Sequence, residues 1–170
     1  PGRYTGSSAV RPRMRSPSDN SSLQAASAAA VASSPLAAEV LNAVNASRAT
    51  RGAAPLSTDA TLQQAARVHA ADMQIRNFYG HHNPDGQGPR ERVLAVWPDF
   101  KGSVVENIQV VDGPAYAAMS DAQLAAELVG KWATSPQHRR NMQSPDYTRS
   151  GIGIARSGHK IIAVQVFSGP

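Results

Sequence analysis

Two strand-like runs, Ser150 to Ala155 and Lys160 to Phe167, are separated only by Arg156-Ser157-Gly158-His159. So short a turn, with Gly inside it, makes the runs pair with each other as an antiparallel hairpin. Everything upstream must then cover that hairpin. The upstream pattern is helical for the most part. Ser34-Pro35 reads as an N-cap with Pro at the first helical position, followed by Leu36, Val40, Leu41 and Val44 at helical spacing, with Gly52 as the stop. Asp59 can cap a second helix whose inner stripe is Leu62, Ala66, His69 and Met73. Pro89 can open a short helix through Val93 and Leu94. Ser120 and Gln123 have capping-box spacing before a long helix with Leu124, Leu128 and Trp132 inward. Ser135-Pro136 starts a further turn carrying His138 and Met142.

Between these helices, Val104 to Val111 reads as a strand broken by polar residues, and Asn83-Pro84-Asp85-Gly86 as a turn. The pattern therefore predicts an α/β (α+β) domain, an α–β–α sandwich with a small, mostly antiparallel central sheet. No internal repeat is present. Hydrophobic residues make up 41% and aromatics 5%, so the core must be built from Ala, Val, Ile and Leu. No apolar run approaches the roughly 20 residues of a membrane span.

Residues 1–34 differ from the rest. They are rich in Ser, Ala, Pro and Arg, and four arginines against Asp19 leave them at +3. Residues 35–170 hold 13 basic and 11 acidic side chains. The basic balance of the chain, +5 in all, is thus mostly a property of an N-terminal arm or linker. Arg11, Arg13 and Arg15 ahead of an Ala-rich stretch faintly echo an export signal, but Asp19 and the weak hydrophobicity of Ala favour a linker. A chain opening on Pro1 rather than Met is expected to have lost a leading segment. With Tyr4 as the only aromatic in the arm, base stacking has no support, so nucleic acid is not an expected partner.

The chain has no cysteine, which removes disulfides, thiolate metal sites and thiol nucleophiles together. The chemistry-bearing residues cluster where elements end: His81 and His82 before the turn, Glu106 inside an apolar strand, His138 after Ser135-Pro136, and Asp146 before the hairpin. Glu106 is the most informative. A carboxylate among Val104, Val105 and Ile108 is desolvated, so it needs a cation, hydrogen-bond donors, a metal or a proton. A His is a natural partner. His81, His138 and Glu106 would also suffice as ligands for a zinc or magnesium ion, although H-E-x-x-H spacing is lacking.

Each residue also has a plainer reading. Glu106 with Asn107 could be a structural pair, His81 a helix C-cap, and His138 a solvated turn residue. His69 reads as a satisfied core His, and His82 and His159 as solvent-facing. Trp132 reads as a core anchor whose ring N–H finds a partner. A triad of Ser135, His138 and Asp146 can be written, but Ser135 is better explained as an N-cap, and no G-x-S-x-G elbow exists.

Four segments together resemble the CAP superfamily of cysteine-rich secretory, antigen 5 and pathogenesis-related proteins, in its bacterial single-domain form. Asn77 to Gly86 is similar to N-F-x-x-H-x-x-P-D-G, and Glu106-Asn107-Ile108 to the end of G-E-N-I. Trp132 to Met142 is similar to W-x-x-S-P-x-H-R-x-N-I, and Pro145 to Ile154 to P-x-F-T-x-I-G-V-G. The resemblance covers about residues 35–168 in order. It implies an α–β–α sandwich, export to an extracellular or periplasmic location, and a cleft holding two His and two Glu, sometimes with a divalent metal. His81 matches the first His of that set and Glu106 the first Glu. Ser135 stands where the second Glu would be, Asp146 where the second His would be, and His138 is the bacterial addition. Members of the family bind lipids, act on receptors or have been proposed as proteases. The expected cleft residues are thus His81, Glu106, Ser135, His138 and Asp146, with His81, Glu106 and His138 as the catalytic or metal candidates. The expected partner is a small molecule, a lipid or a cell-envelope component. A metal-assisted hydrolase and a protein-interaction module are the alternatives.

Overall fold

The computed structural model describes residues 34–170; the expected arm lies outside them apart from Ser34. Helix starts follow the capping chemistry read from the sequence. The Ser34 hydroxyl accepts from the Ala37 N–H at 3.3 Å and opens α1, Pro35–Ala49. The Asp59 carboxylate accepts from the Leu62 N–H at 3.0 Å and opens α2, Ala60–Ile75. Pro89 begins α3, Pro89–Val96. Ser120 and Gln123 form the full reciprocal capping box of α5, Asp121–Thr134. The start of α6, Pro136–Gln143, departs from expectation: Ser135 occupies the cap position, but its side chain makes no capping bond. There the preset φ of Pro136 and the Ser135 carbonyl, bonded by the Arg139 N–H, do the work. Two short elements carry no periodic signal and were not foreseen: β1, Ser57–Thr58, and α4, Pro114–Ala117.

The C-terminal hairpin is the centre of the sheet. β3, Arg149–Ser157, pairs antiparallel with β4, Lys160–Ser168, through a tight turn in which Gly158 has φ 58°. β2, Val105–Asp112, pairs antiparallel with the far side of β4, and β1 lies parallel to β3, giving the order β1-β3-β4-β2. As β4 is central and covered on both faces, its run Ile161 to Phe167 is apolar at nearly every position. Alternation sends Ile162, Val164 and Val166 toward α2 and α3, and Ile161, Ala163 and Phe167 toward α1, α5 and α6. The expected α–β–α sandwich is the observed one.

Two details fix the layers. A Cβ on Gly151 would fall 2.0 Å from the Gln63 nitrogen, and one on Gly153 would fall 2.4 Å from the Ala66 carbonyl. The two glycines therefore let α2 lie directly on β3, which is the physical content of the G-x-G pattern there. On the other face the Arg48 side chain is almost wholly buried, with no carboxylate partner among the described residues. It donates to the carbonyls of Ala54, Met142, Ser144 and Tyr147 at 2.8–2.9 Å, tying α1 to the end of α6.

The β2 edge is closed by side chains. Trp132 Nε1 donates to the Ile108 carbonyl at 3.0 Å, as its core-anchor reading required, and Gln109 Nε2 donates to the Val110 carbonyl at 3.1 Å. Capping outward backbone groups in this way removes a template for strand addition.

Gly153→Ala should destabilise the domain by about 1–3 kcal/mol or more, because backbone rather than a flexible side chain stands in the way. Gly130→Ala, in α5 with nothing near its Cβ position, should instead stabilise by about 0.5–1 kcal/mol. Urea unfolding of both variants checks the pair.

Candidate functional site

The site grows from the register of β2. Glu106 pairs with Val166 and so faces the α2–α3 layer, whereas Asn107 pairs with Gln165 and faces the α5–α6 layer. Adjacent polar residues are thereby sent to opposite sides of the sheet, so the expectation of a Glu106–Asn107 pair fails. The Glu106 carboxylate is fully buried. Arg92, one turn into α3, grips it with both arms: Nη1 donates to Oε2 at 2.7 Å and Nη2 to Oε1 at 3.1 Å. Bidentate pairing of this kind is the strongest a carboxylate can form with a side chain. His81 completes the shell, with Nδ1 2.9 Å from Oε1.

His81 is held from three directions. Its carbonyl accepts from Arg92 Nη2. The preceding carbonyl, of Gly80, lies 2.8 Å from Nε2 of His69 on the inner face of α2. The following turn is locked by Asn83, whose Oδ1 accepts from the N–H groups of Asp85 at 3.1 Å and Gln87 at 2.9 Å. The chain leaves α2 through Arg76 as its C-cap, so His81 is no helix cap. Its side chain is 45% exposed while its carboxylate partner is 0% exposed. With Nδ1 turned to Glu106, the ring presents Nε2 outward.

His138 comes from the other layer. Asn107 Nδ2 donates to the His138 carbonyl at 3.0 Å, and Asn141 Nδ2 donates to Asn107 Oδ1 at 2.9 Å. Partial burial, and secondarily His81, hold the His138 pKa below the ordinary 6.5.

For Glu106 itself, desolvation pushes the pKa up. The hydrogen bonds from His81 and Arg92 and the guanidinium charge outweigh it, leaving the carboxyl below its ordinary value. His69 is lowered chiefly by burial, against the pull of Glu106. It is therefore neutral, and its approach of 3.8 Å to Glu106 is not an ion pair. His69 is a core residue as expected but not a fully satisfied one: Nδ1 is buried without a partner among the described residues. His82 and His159 are exposed, as expected.

The structure thus brings His81 and Glu106 together, with His138 beside them. It does not bring in Asp146, which is exposed and lines a separate depression with Ser103, Tyr147 and Pro170. Ser135 shares no hydrogen bond with His138 or Asp146, so the written triad is not assembled. The sequence does not single out Arg92: the demand of a buried carboxylate for a cation is legible, but Arg76, Arg90 and Arg92 all flank the 83–86 turn and local spacing does not choose among them.

The metal set of His81, Glu106 and His138 does not fit a divalent ion as arranged. Among the described residues no three His, Asp or Glu side chains gather as a metal-holding group. Both Glu106 oxygens are engaged, and the Arg92 charge beside them opposes a second cation.

The family model of CAP, the cysteine-rich secretory protein family, matches residues 41–167. The chain belongs to the CAP family. Among curated proteins, the uncharacterised protein YkwD of Bacillus subtilis is 29% identical over 120 residues, which is 71% of this chain and 42% of that protein. This CAP chain therefore spans less than half the length of that relative. Among solved structures, an extracellular protein containing a SCP domain from Bacillus anthracis superposes with a TM-score of 0.62 at 18% identity, over 79% of this chain and 40% of that one. NaASP2, solved with Zn²⁺, gives 0.57 at 14% identity, over 79% and 80%. At these identities the structures share the fold.

Arg92→Leu strands a buried carboxylate and should cost about 3–5 kcal/mol, with much of it recovered in the Arg92→Leu/Glu106→Leu double variant; chemical denaturation of both reads this out. Acidification should destabilise in two stages. His69 has a depressed folded pKa, so the unfolded chain takes up its proton first and stability falls as pH drops below about 6.5. The Glu106 contribution is fully present above about 4.5 and is lost as pH falls further, toward its lowered value. His138, also depressed, adds to the first stage; thermal unfolding from pH 8 to 3, with His69→Gln shrinking that stage and His69→Gln/His138→Gln abolishing it, checks the sign and order.

Proposed function

We propose that this CAP domain is an exported binding domain whose polar cleft, around His81, Glu106 and His138, takes a small ligand, a lipid or a cell-envelope component. One observation carries the reading. The buried charge of Glu106 is spent on Arg92 and on orienting His81, so the group offered to a ligand is a fixed, half-exposed imidazole rather than a free carboxylate base. A rigid imidazole with His138 beside it supplies directional hydrogen bonds, as a binding site needs. A hydrolase would need an activated nucleophile or water, and no base–nucleophile pair is assembled among the described residues.

Export is supported by kinship. The chain belongs to a family named for secretory proteins, and the B. anthracis neighbour is extracellular. None of the described helices is long and apolar enough to cross a membrane. The Zn²⁺ of the NaASP2 structure keeps a metal-assisted reading in view. For this chain it would require Glu106 to leave Arg92, so the binding reading is favoured.

Isothermal titration with soluble peptidoglycan fragments and with a medium-chain fatty acid tests the proposal. Wild type should bind at least one, and His81→Ala/His138→Ala should bind it at least tenfold more weakly while remaining folded at the titration temperature. Equal binding by the double variant would sink the reading. Turnover that requires Zn²⁺ and is lost with a chelator would favour the hydrolase.

A further inference from the structure

A second depression lies where the C-terminal ends of α1 and α6 meet the 144–147 turn. It encloses about 580 Å³ and is lined by Arg51, Arg140, Asn141, Gln143, Ser144, Pro145 and Tyr147. It shares only Asn141 with the hydrogen-bond network of the Glu106 site. Two arginines line it, and its lining contains no carboxylate. Neither the Arg51 nor the Arg140 side chain makes an ion pair or side-chain hydrogen bond among the described residues.

Cations near helix C-termini are ordinarily explained by the carbonyls there. Here Arg48 already does that work. It is buried and donates to the carbonyls of Met142, Ser144 and Tyr147, the last two belonging to residues that line the depression. Arg51 and Arg140 are left as surplus, and the charge of Arg48 adds to theirs in a concave site whose lining holds no counter-ion among the described residues. The neutral donors fit the same conclusion. The Ser144 hydroxyl accepts from the Asp146 N–H and keeps its own proton to donate. The Tyr147 hydroxyl has no hydrogen bond among the described residues, while its ring packs against Phe167.

We propose that this depression is a phosphate-binding site in which the Arg51 and Arg140 guanidiniums clasp the anion and the Ser144 and Tyr147 hydroxyls complete its shell. Planar forks pair bidentately with phosphate oxygens, and hydroxyls select oxyanions over halides. The phosphate can belong to a small soluble ester or to a phosphodiester chain. The two differ in whether neighbouring units add contacts beyond the depression.

The test is titration of the whole chain at low salt with inorganic phosphate, with glycerol phosphate and with a glycerol-phosphate oligomer, followed by amide NMR shifts. Wild type should show saturable shifts centred on residues 140–147 and on Arg51. Arg51→Ala/Arg140→Ala, both at exposed positions, should bind at least tenfold more weakly with an unchanged melting temperature. Arg51→Lys/Arg140→Lys should retain part of the affinity. Tighter binding of the oligomer than of glycerol phosphate identifies a chain ligand, and equal binding a small ester. No saturable binding, or equal binding by the double Ala variant, overturns the site. His81→Ala/His138→Ala should bind phosphate as wild type does, which separates this result from the fate of the His81 cleft.

Discussion

The Arg92–Glu106 ion pair is the constraint around which the functional end of the domain is organised. A carboxylate on the inner face of a strand is tolerated only when its charge is met, and Arg92 meets it with two bonds from one planar group. The same guanidinium holds the His81 carbonyl, so strand, helix and loop are registered against one another by a single side chain. The exposed imidazole is then a consequence of the buried pair. Removing the pair would release the loop as well as the charge.

The two layers meet at this edge of the sheet by a division of labour between neighbours. Glu106 reaches into the α2–α3 layer and fixes His81, whereas Asn107 reaches into the α5–α6 layer and fixes the backbone at His138. Period-two alternation makes this automatic once the register with β4 is set. The pair of histidines is therefore assembled across an edge strand, and Trp132, which caps the Ile108 carbonyl of that strand, keeps the layer carrying His138 seated. The domain also carries arginines in two different roles. Arg92 neutralises a charge, while Arg48 is buried among carbonyls and holds three segments together without one.

Much of the site was legible in residues 77–142, and the limits of that reading have a common cause. Glu106 stood out because an ionisable group in an apolar run must be explained, and His81 because it precedes a strong turn. Asp146 shares their place at an element end and matches a family site position, yet it lines a different depression. Ser135 was assigned a capping side chain that the helix does not use. Arg92 was overlooked because surface and buried arginines look alike in a helical segment rich in charge. Contacts between residues 14 or 25 positions apart, as between Arg92 or His81 and Glu106, leave no trace in local spacing.

By itself the sequence determined the longer elements and their order, though not the short β1 and α4. Caps at Ser34, Asp59 and Ser120, the Gly158 turn and the alternation in the last strand act over a few residues, and the chain obeyed them locally. It also determined that Glu106 had to find a partner, since desolvation does not depend on topology. Only the tertiary structure decided which partner. Laying α2 on the glycines of β3 placed α3 beside β2, and that placement chose Arg92 and turned His81 outward, while the packing of α1 against α6 on the other face brought Arg51 and Arg140 to one depression. Those outcomes depend on the packing of distant segments, which no local interaction encodes.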